Sequence, residues 1–115
     1  VYGAIYRGGG RFERVSDYIC AEVDRILEMI DGEALFLGGG ARRYEGRIRE
    51  VMGGKARFAE LIFDVPRGAA ICFLGAEAAR AGRKDDLFSF VPMYLRKSEA
   101  EVKLELGKLP KKSLI

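Results

Sequence analysis

From Val1 to Arg7, Tyr2, Ala4 and Tyr6 fall on one side of a period-two pattern, which predicts a strand. Gly8–Gly10 follow, and Arg11–Val15 resume the alternation with Phe12 and Arg14 facing away from Arg11, Glu13 and Val15. Strand, glycine turn, strand is a hairpin signal, because glycine accepts the backbone conformations that tight turns demand. Ser16 or Asp17 can then cap a helix whose stripe is Ile19, Val23, Ile26, Leu27 and Ile30, with Gly32 closing it. Ala34–Leu37 is a short continuous apolar run, the pattern of a strand covered on both faces. It runs into Gly38–Gly40 and a second helix from Ala41 to Met52, with Tyr44, Ile48, Val51 and Met52 on its apolar side and Gly53–Gly54 as the stop. Ala56–Ile62 is a weaker strand. Pro66 suits the first turn of a third helix that runs to Ala81 and ends at Gly82. Its apolar residues spread beyond one stripe, which predicts the most deeply buried helix of the three. Phe88–Leu95 reads as extended around Pro92. Strands alternating with helices predict an α/β domain, and the opening hairpin makes its sheet mixed.

A chain of 115 residues fits one domain. Hydrophobic residues are 49% and charged residues 32%, an ordinary globular balance. The longest apolar stretch, Ala69–Ala79, is broken by Gly75 and Glu77 and falls short of the ~20 residues that cross a bilayer. No basic segment leading into an apolar one opens the sequence, so no secretory signal is expected. The chain has no histidine, which removes Ser-His-Asp and Cys-His catalysis and imidazole ligation of metals. Cys20 and Cys72 are too far apart for a C-x-x-C pair, and their apolar neighbours predict small buried hydrophobes in a reducing cytoplasm. The net charge of +3 resides in Lys108, Lys111 and Lys112, so 107–115 reads as a basic, flexible tail following a domain of residues 1–106.

Three features bear on chemistry. In Leu35–Arg43 a buried strand meets glycines and then a helix, so the backbone of Gly38, Gly39, Gly40 and Ala41 could accept an anion or nucleotide phosphate. The P-loop spacing is missing, and Arg43 stands where the third glycine of a dinucleotide fingerprint belongs. The same residues also describe a tight strand-to-helix turn with no ligand. Second, Arg42, Arg43, Arg47 and Arg49 could form a basic face for RNA, but Glu45 with Arg49 and Arg47 with Glu50 have helical pairing distances, which predicts a salt-bridged, solvated surface. Third, Asp85–Asp86 are carboxylates paired only by adjacency, in what reads as an exposed loop, and Asp64 is placed to cap the third helix. No nucleophile, base and orienting group converge, so no catalytic residue, metal ligand or cofactor is assigned.

Val91-Pro-Met-Tyr-Leu-Arg-Lys-Ser-Glu-Ala-Glu101 resembles the closing segment of the TsaB (YeaZ) family. Val1–Arg7 resembles the strand after that family's Asp-Ala-Arg turn, Leu37–Ala41 its Gly-Asp-Gly-Ala turn, and Pro66–Gly82 its penultimate helix. The resemblance spans nearly this whole chain but only the C-terminal half of the family. It implies an actin-like (RNase H-like, ASKHA) half-domain, a mixed sheet flanked by about three helices. It also implies a noncatalytic, cytoplasmic accessory subunit. Such a subunit supports threonylcarbamoyl transfer to a tRNA adenosine by a TsaD-type catalytic partner with a TsaE-type ATPase, touching tRNA only indirectly. Older descriptions of relatives as glycoproteases imply a peptidase, which the missing histidines argue against. Gly39 replaces the family's aspartate, which weakens a nucleotide role for the turn. The family's N-terminal half and the strand before Val1 have no counterpart here, which implies an open sheet edge and self-association.

Overall fold

The structure, a computed structural model, describes residues 1–10, 12–97, 101–102 and 105–107. Strands β1 (Tyr2–Gly3) and β2 (Tyr6–Arg7) run out, and β3 (Glu13–Arg14) and β4 (Ile19–Cys20) return, with Gly8–Gly10 in the turn. Tyr6 faces Arg14 and Arg7 faces Glu13, whereas Tyr2 faces Cys20 and Gly3 faces Ile19. The returning strand therefore carries two more residues than its partner, a bulge at Val15–Tyr18. Ser16 fills it: its Oγ accepts the Ile5 N–H at 2.9 Å and donates to the Asp17 carbonyl at 2.8 Å.

That bulge explains why the first helix starts later than its apolar periodicity predicts. Ser16 is spent on the hairpin and Ile19 on the ladder, so helix α1 is only Val23–Leu27, with Glu22 at its N-cap in place of Ser16 or Asp17. The stripe from Ile19 to Ile30 crosses a strand-to-helix boundary.

β5 (Ala34–Phe36) pairs in parallel with β6 (Ala56–Phe58), aligning Ala34 with Ala56 and Phe36 with Phe58. The crossover between them is helical, as a parallel pair requires. It is divided into α2 (Gly39–Arg43) and α3 (Glu45–Met52) at Tyr44, whose φ of −106° departs from the helix, where a single helix is expected. Leu27 of α1, Ile48 of α3 and Ala56 of β6 form the buried core, with Val23, Ile30, Phe36, Ala41, Met52 and Phe58 around them. The Phe36 and Phe58 rings stack at 5.5 Å. Successive strand residues face opposite ways, so Leu35 lies on the far side of β5 from Phe36 and is 60% exposed. The expectation of a strand covered on both faces is thus half met: helices cover one face and the other is open.

β6 ends at Phe58, short of the expected Ile62, because Leu61–Phe63 turns in a 3-10 helix. Helix α4 (Gly68–Arg80) follows, close to the expected span, with Arg67 at its N-cap and not Asp64. None of its residues is buried, and Ile71, Phe73 and Leu74 are exposed, so the helix read as most buried is the least covered. Its composition fits it for burial, but no described element packs closely enough over it to bury any of its residues. The same reason leaves Cys72 exposed, and Cys20 on the short β4 is exposed as well, against the expectation of buried thiols. Phe88–Leu95 does not form a strand: Asp86–Ser89 turn, and Val91–Tyr94 are irregular and exposed.

The architecture is mixed α/β, but the strands among the described residues form three separate two-stranded sheets, where one continuous mixed sheet is expected. The radius of gyration is 18.6 Å, against about 13 Å for a compact domain of this length. The expected tail lies outside the described residues except for Gly107, as do Ser98, Glu99 and Ala100 of the Val91–Glu101 segment. No helix among the described residues is long and apolar enough to cross a membrane.

Candidate functional site

The first glycine triplet lies where the sequence places it, between β5 and α2. Gly38 adopts φ 95° and ψ 164°, a conformation essentially reserved for glycine. This turn swings its N–H away from the strand ladder and towards Asp64, whose Oδ1 accepts it at 3.2 Å. The other carboxylate oxygen accepts Nε–H of Arg42 at 2.9 Å. Arg42 is the hub of the turn, since its Nη1 donates to Glu45 at 3.0 Å and its Nη2 to the Ala59 carbonyl at 2.8 Å. The guanidinium thus ties α2 to the start of α3, to the end of β6 and to the approach to α4.

A backbone N–H beside an arginine fork is anion-binding chemistry. Here the anion is the chain's own Asp64. The Arg42 guanidinium, helped by the Gly38 N–H, holds the Asp64 carboxyl below its ordinary value, and Asp64 and Glu45 together raise that of Arg42. A phosphate at this turn must displace Asp64, whose side chain is only 12% exposed. Gly39, Gly40 and Ala41 form the first turn of α2, a helix of five residues. Sequence reasoning located these four residues but read Arg42 as part of a basic face and Asp64 as a helix cap, and so missed that the two meet at this turn. The available signal was the arginine one helical turn beyond Gly38; the aspartate, 26 residues on, gave none.

The arginine-rich face behaves as its spacing predicts. Glu45 accepts Arg49 at 2.7 Å, and Arg47 donates to Glu50 and to Asp24 of α1, both at 2.9 Å. Arg49 also lies 4.5 Å over the Phe58 ring. Glu45 and Asp24 are held below their ordinary carboxylate values, Glu45 by Arg49 and then Arg42, Asp24 by Arg47.

The acidic pair resolves into a turn. Asp86 accepts the Ser89 hydroxyl at 2.7 Å and the backbone N–H groups of Ser89 and Phe88, which lower its pKa, Ser89 most. A general acid needs the opposite displacement, and Asp64 and Asp86 are both lowered. A broad, open depression of about 590 Å³ is lined by Val1, Cys20, Glu22, Asp24, Tyr44 and Arg96 and does not include the glycine turn. No group of three or more histidine, cysteine or acidic side chains able to hold a metal ion occurs among the described residues.

Compared with protein-family models, with curated proteins and with solved structures, the chain finds no match.

Proposed function

We propose that the chain is the C-terminal, actin-like half of a TsaB-like accessory subunit. It acts without catalytic residues of its own, by binding a TsaD-type partner that transfers a threonylcarbamoyl group to a tRNA adenosine. The reading starts from the ordered sequence resemblance, Val1–Arg7, Leu37–Ala41, Pro66–Gly82 and Val91–Glu101, and the mixed α/β architecture is compatible with it.

The observation that carries it is the disposition of apolar surface. Among the described residues Leu27, Ile48 and Ala56 are the buried hydrophobic ones, whereas Leu87 is 89% and Phe88 100% exposed, with Phe90, Val91, Met93 and Tyr94 exposed beside them. Contiguous exposed apolar residues on this scale mark a binding surface, and these lie in or next to the Val91–Glu101 segment. An enzyme built around its own pocket hides such groups; a subunit that works against a neighbour presents them.

The test is titration of the chain into a purified TsaD-type subunit, followed by calorimetry. Saturable binding that is lost in a Phe88→Asp, Phe90→Asp variant supports the reading, and absence of binding removes it. The rival reading, a nucleotide site at Gly38–Ala41, requires ATP or ADP to displace Asp64; saturable heat with either nucleotide would favour it instead.

A further inference from the structure

We propose that the outward side of the opening hairpin binds single-stranded nucleic acid, its aromatic rings stacking on bases while Arg14 meets the phosphates. The strand register puts these groups together. A Cβ added to Gly3 would lie 3.6 Å from Ile26 of α1, so the side of β1 that carries Gly3 is turned towards that helix. Val15 donates its N–H to the Ile5 carbonyl, and Ala21 donates to that of Val1, which keeps residues 1–7 in one run of alternating sides. Tyr2 and Tyr6 therefore share the opposite side, where they are 65% and 51% exposed. Arg14 stands across from Tyr6. Phe12, 80% exposed, lies against Gly8, where an added Cβ would come 3.3 Å from its ring. At about 3.3 Å per residue the run from Tyr2 to Gly8 is about 20 Å long, room for several bases.

The chemistry of this side sets it apart from the other uncovered surfaces. An antiparallel pair with one face packed ordinarily turns polar residues outward. Here the outward residues are tyrosine, phenylalanine and arginine with Ala4 between them, whereas α4 and Leu87–Tyr94 mix aliphatic side chains with their rings. Aliphatic groups suit burial against another protein; flat rings beside a cation suit the faces of bases and the charge of their backbone. Arg14 is already laid flat, with its guanidinium 4.3 Å over the Tyr18 ring and one N–H given to the Ser16 carbonyl. Its other N–H groups remain for an acceptor. On α3, Arg47 is neutralised by Asp24 and Glu50 and Arg49 by Glu45, but Arg14 is ion-paired with no described carboxylate. Glu13, next to it in sequence, faces Arg7 in register on the other side of the hairpin. Tyr2, Tyr6, Phe12 and Arg14 thus present three rings and a positive charge with no acid among them. This inference does not rest on the TsaB-like reading, which implies indirect contact with tRNA and puts its partner surface at Leu87–Tyr94.

The test is fluorescence anisotropy of labelled oligouridylate and oligothymidylate of about 12 nucleotides, and of a duplex of that length, titrated with the full chain. The sequence has no tryptophan, so tyrosine emission reports stacking in the same titration. Saturable binding of either single strand, with tyrosine quenching and higher affinity than for the duplex, is the expected result. Tyr6→Phe keeps the ring and should bind as the wild type does. Tyr6→Leu and Phe12→Leu keep apolar bulk without the ring, and each should weaken binding at least about fivefold. Arg14→Gln should weaken it and flatten its salt dependence. All three positions are exposed, so each variant keeps the wild-type far-ultraviolet circular dichroism. No saturable binding up to about 100 μM overturns the proposal. So does a duplex held as tightly as the single strands, the mark of attraction to phosphate alone, or wild-type affinity in the leucine variants or in Arg14→Gln. Phe88→Asp, Phe90→Asp should bind the oligonucleotide unchanged, which separates this result from the titration with a TsaD-type subunit; a loss there would place the site elsewhere and overturn the proposal.

Discussion

Arg42 and Asp64, 22 residues apart, meet through a 2.9 Å hydrogen bond that joins the first turn after β5 to the segment leading into α4. The same carboxylate accepts the Gly38 N–H, so a glycine turn that could grip a foreign anion is closed by one from its own chain. Removing either partner leaves the other facing a site shaped for it. Arg42→Ala and Asp64→Ala should each lower the thermal midpoint, and the double variant should lose less than the sum of the two. Arg25→Ala, which breaks a pair whose side chains are 76% and 63% exposed, should change it little. Thermal denaturation of the four variants checks the ordering.

The pH dependence follows from the same contacts. Asp64 is held below its ordinary value of 3.8, chiefly by Arg42 and then by the Gly38 N–H, so its carboxylate favours the folded state. That contribution is complete above the unfolded value of 3.8 and disappears as pH falls through the lower folded value. Asp24, paired with Arg47, and Glu45, paired with Arg49 and Arg42, have the same sign. The midpoint should therefore fall on acidification below about pH 4.5, where Glu45 ordinarily titrates. In Asp64→Asn the fall should be shallower. A pH series of melting curves for the two proteins gives the comparison.

Gly38 and Gly39 are neighbours with opposite expectations. A Cβ on Gly38 meets nothing within 4 Å, so space is not the obstacle; its φ of 95° is. Gly38→Ala should cost about 1–3 kcal/mol. Gly39 lies in α2 without a positive φ and also has open space. Gly39→Ala should stabilise by about 0.4–1 kcal/mol, through the loss of freedom in the unfolded chain. Chemical denaturation resolves the two signs.

How much of this was legible in the sequence depends on how far apart the deciding residues are. The hairpin around Gly8–Gly10, the βαβ order and the end of α4 before Gly82 are local patterns, and the sequence pattern locates them. The start of α1 was not, because Ile19 continues the helical stripe while its backbone pairs with Gly3. Burial of α4 was not either. Apolar composition states what a helix would gain from being covered, not whether an element of the chain lies over it. At the candidate site the glycines were visible and the role of Asp64 was not, since its partner Gly38 is 26 residues away.

The contrast between core and uncovered helix is itself measurable. Ile48 is 1% exposed at the centre of the core, and Ile48→Ala should cost about 2–5 kcal/mol. Ile71 on α4 is 62% exposed, and at dilutions that keep the chain monomeric Ile71→Ala should stay within about 0.5 kcal/mol. Urea unfolding of both variants at low concentration separates them.

The most direct test of the central claim, that this chain works as a surface for a catalytic neighbour, is a threonylcarbamoyl-transfer assay on tRNA run alongside the calorimetric titration. The account predicts saturable binding of the chain to a TsaD-type subunit and no transfer when the chain is the only protein present. Transfer by the chain alone, or no binding by the wild-type chain, would contradict it.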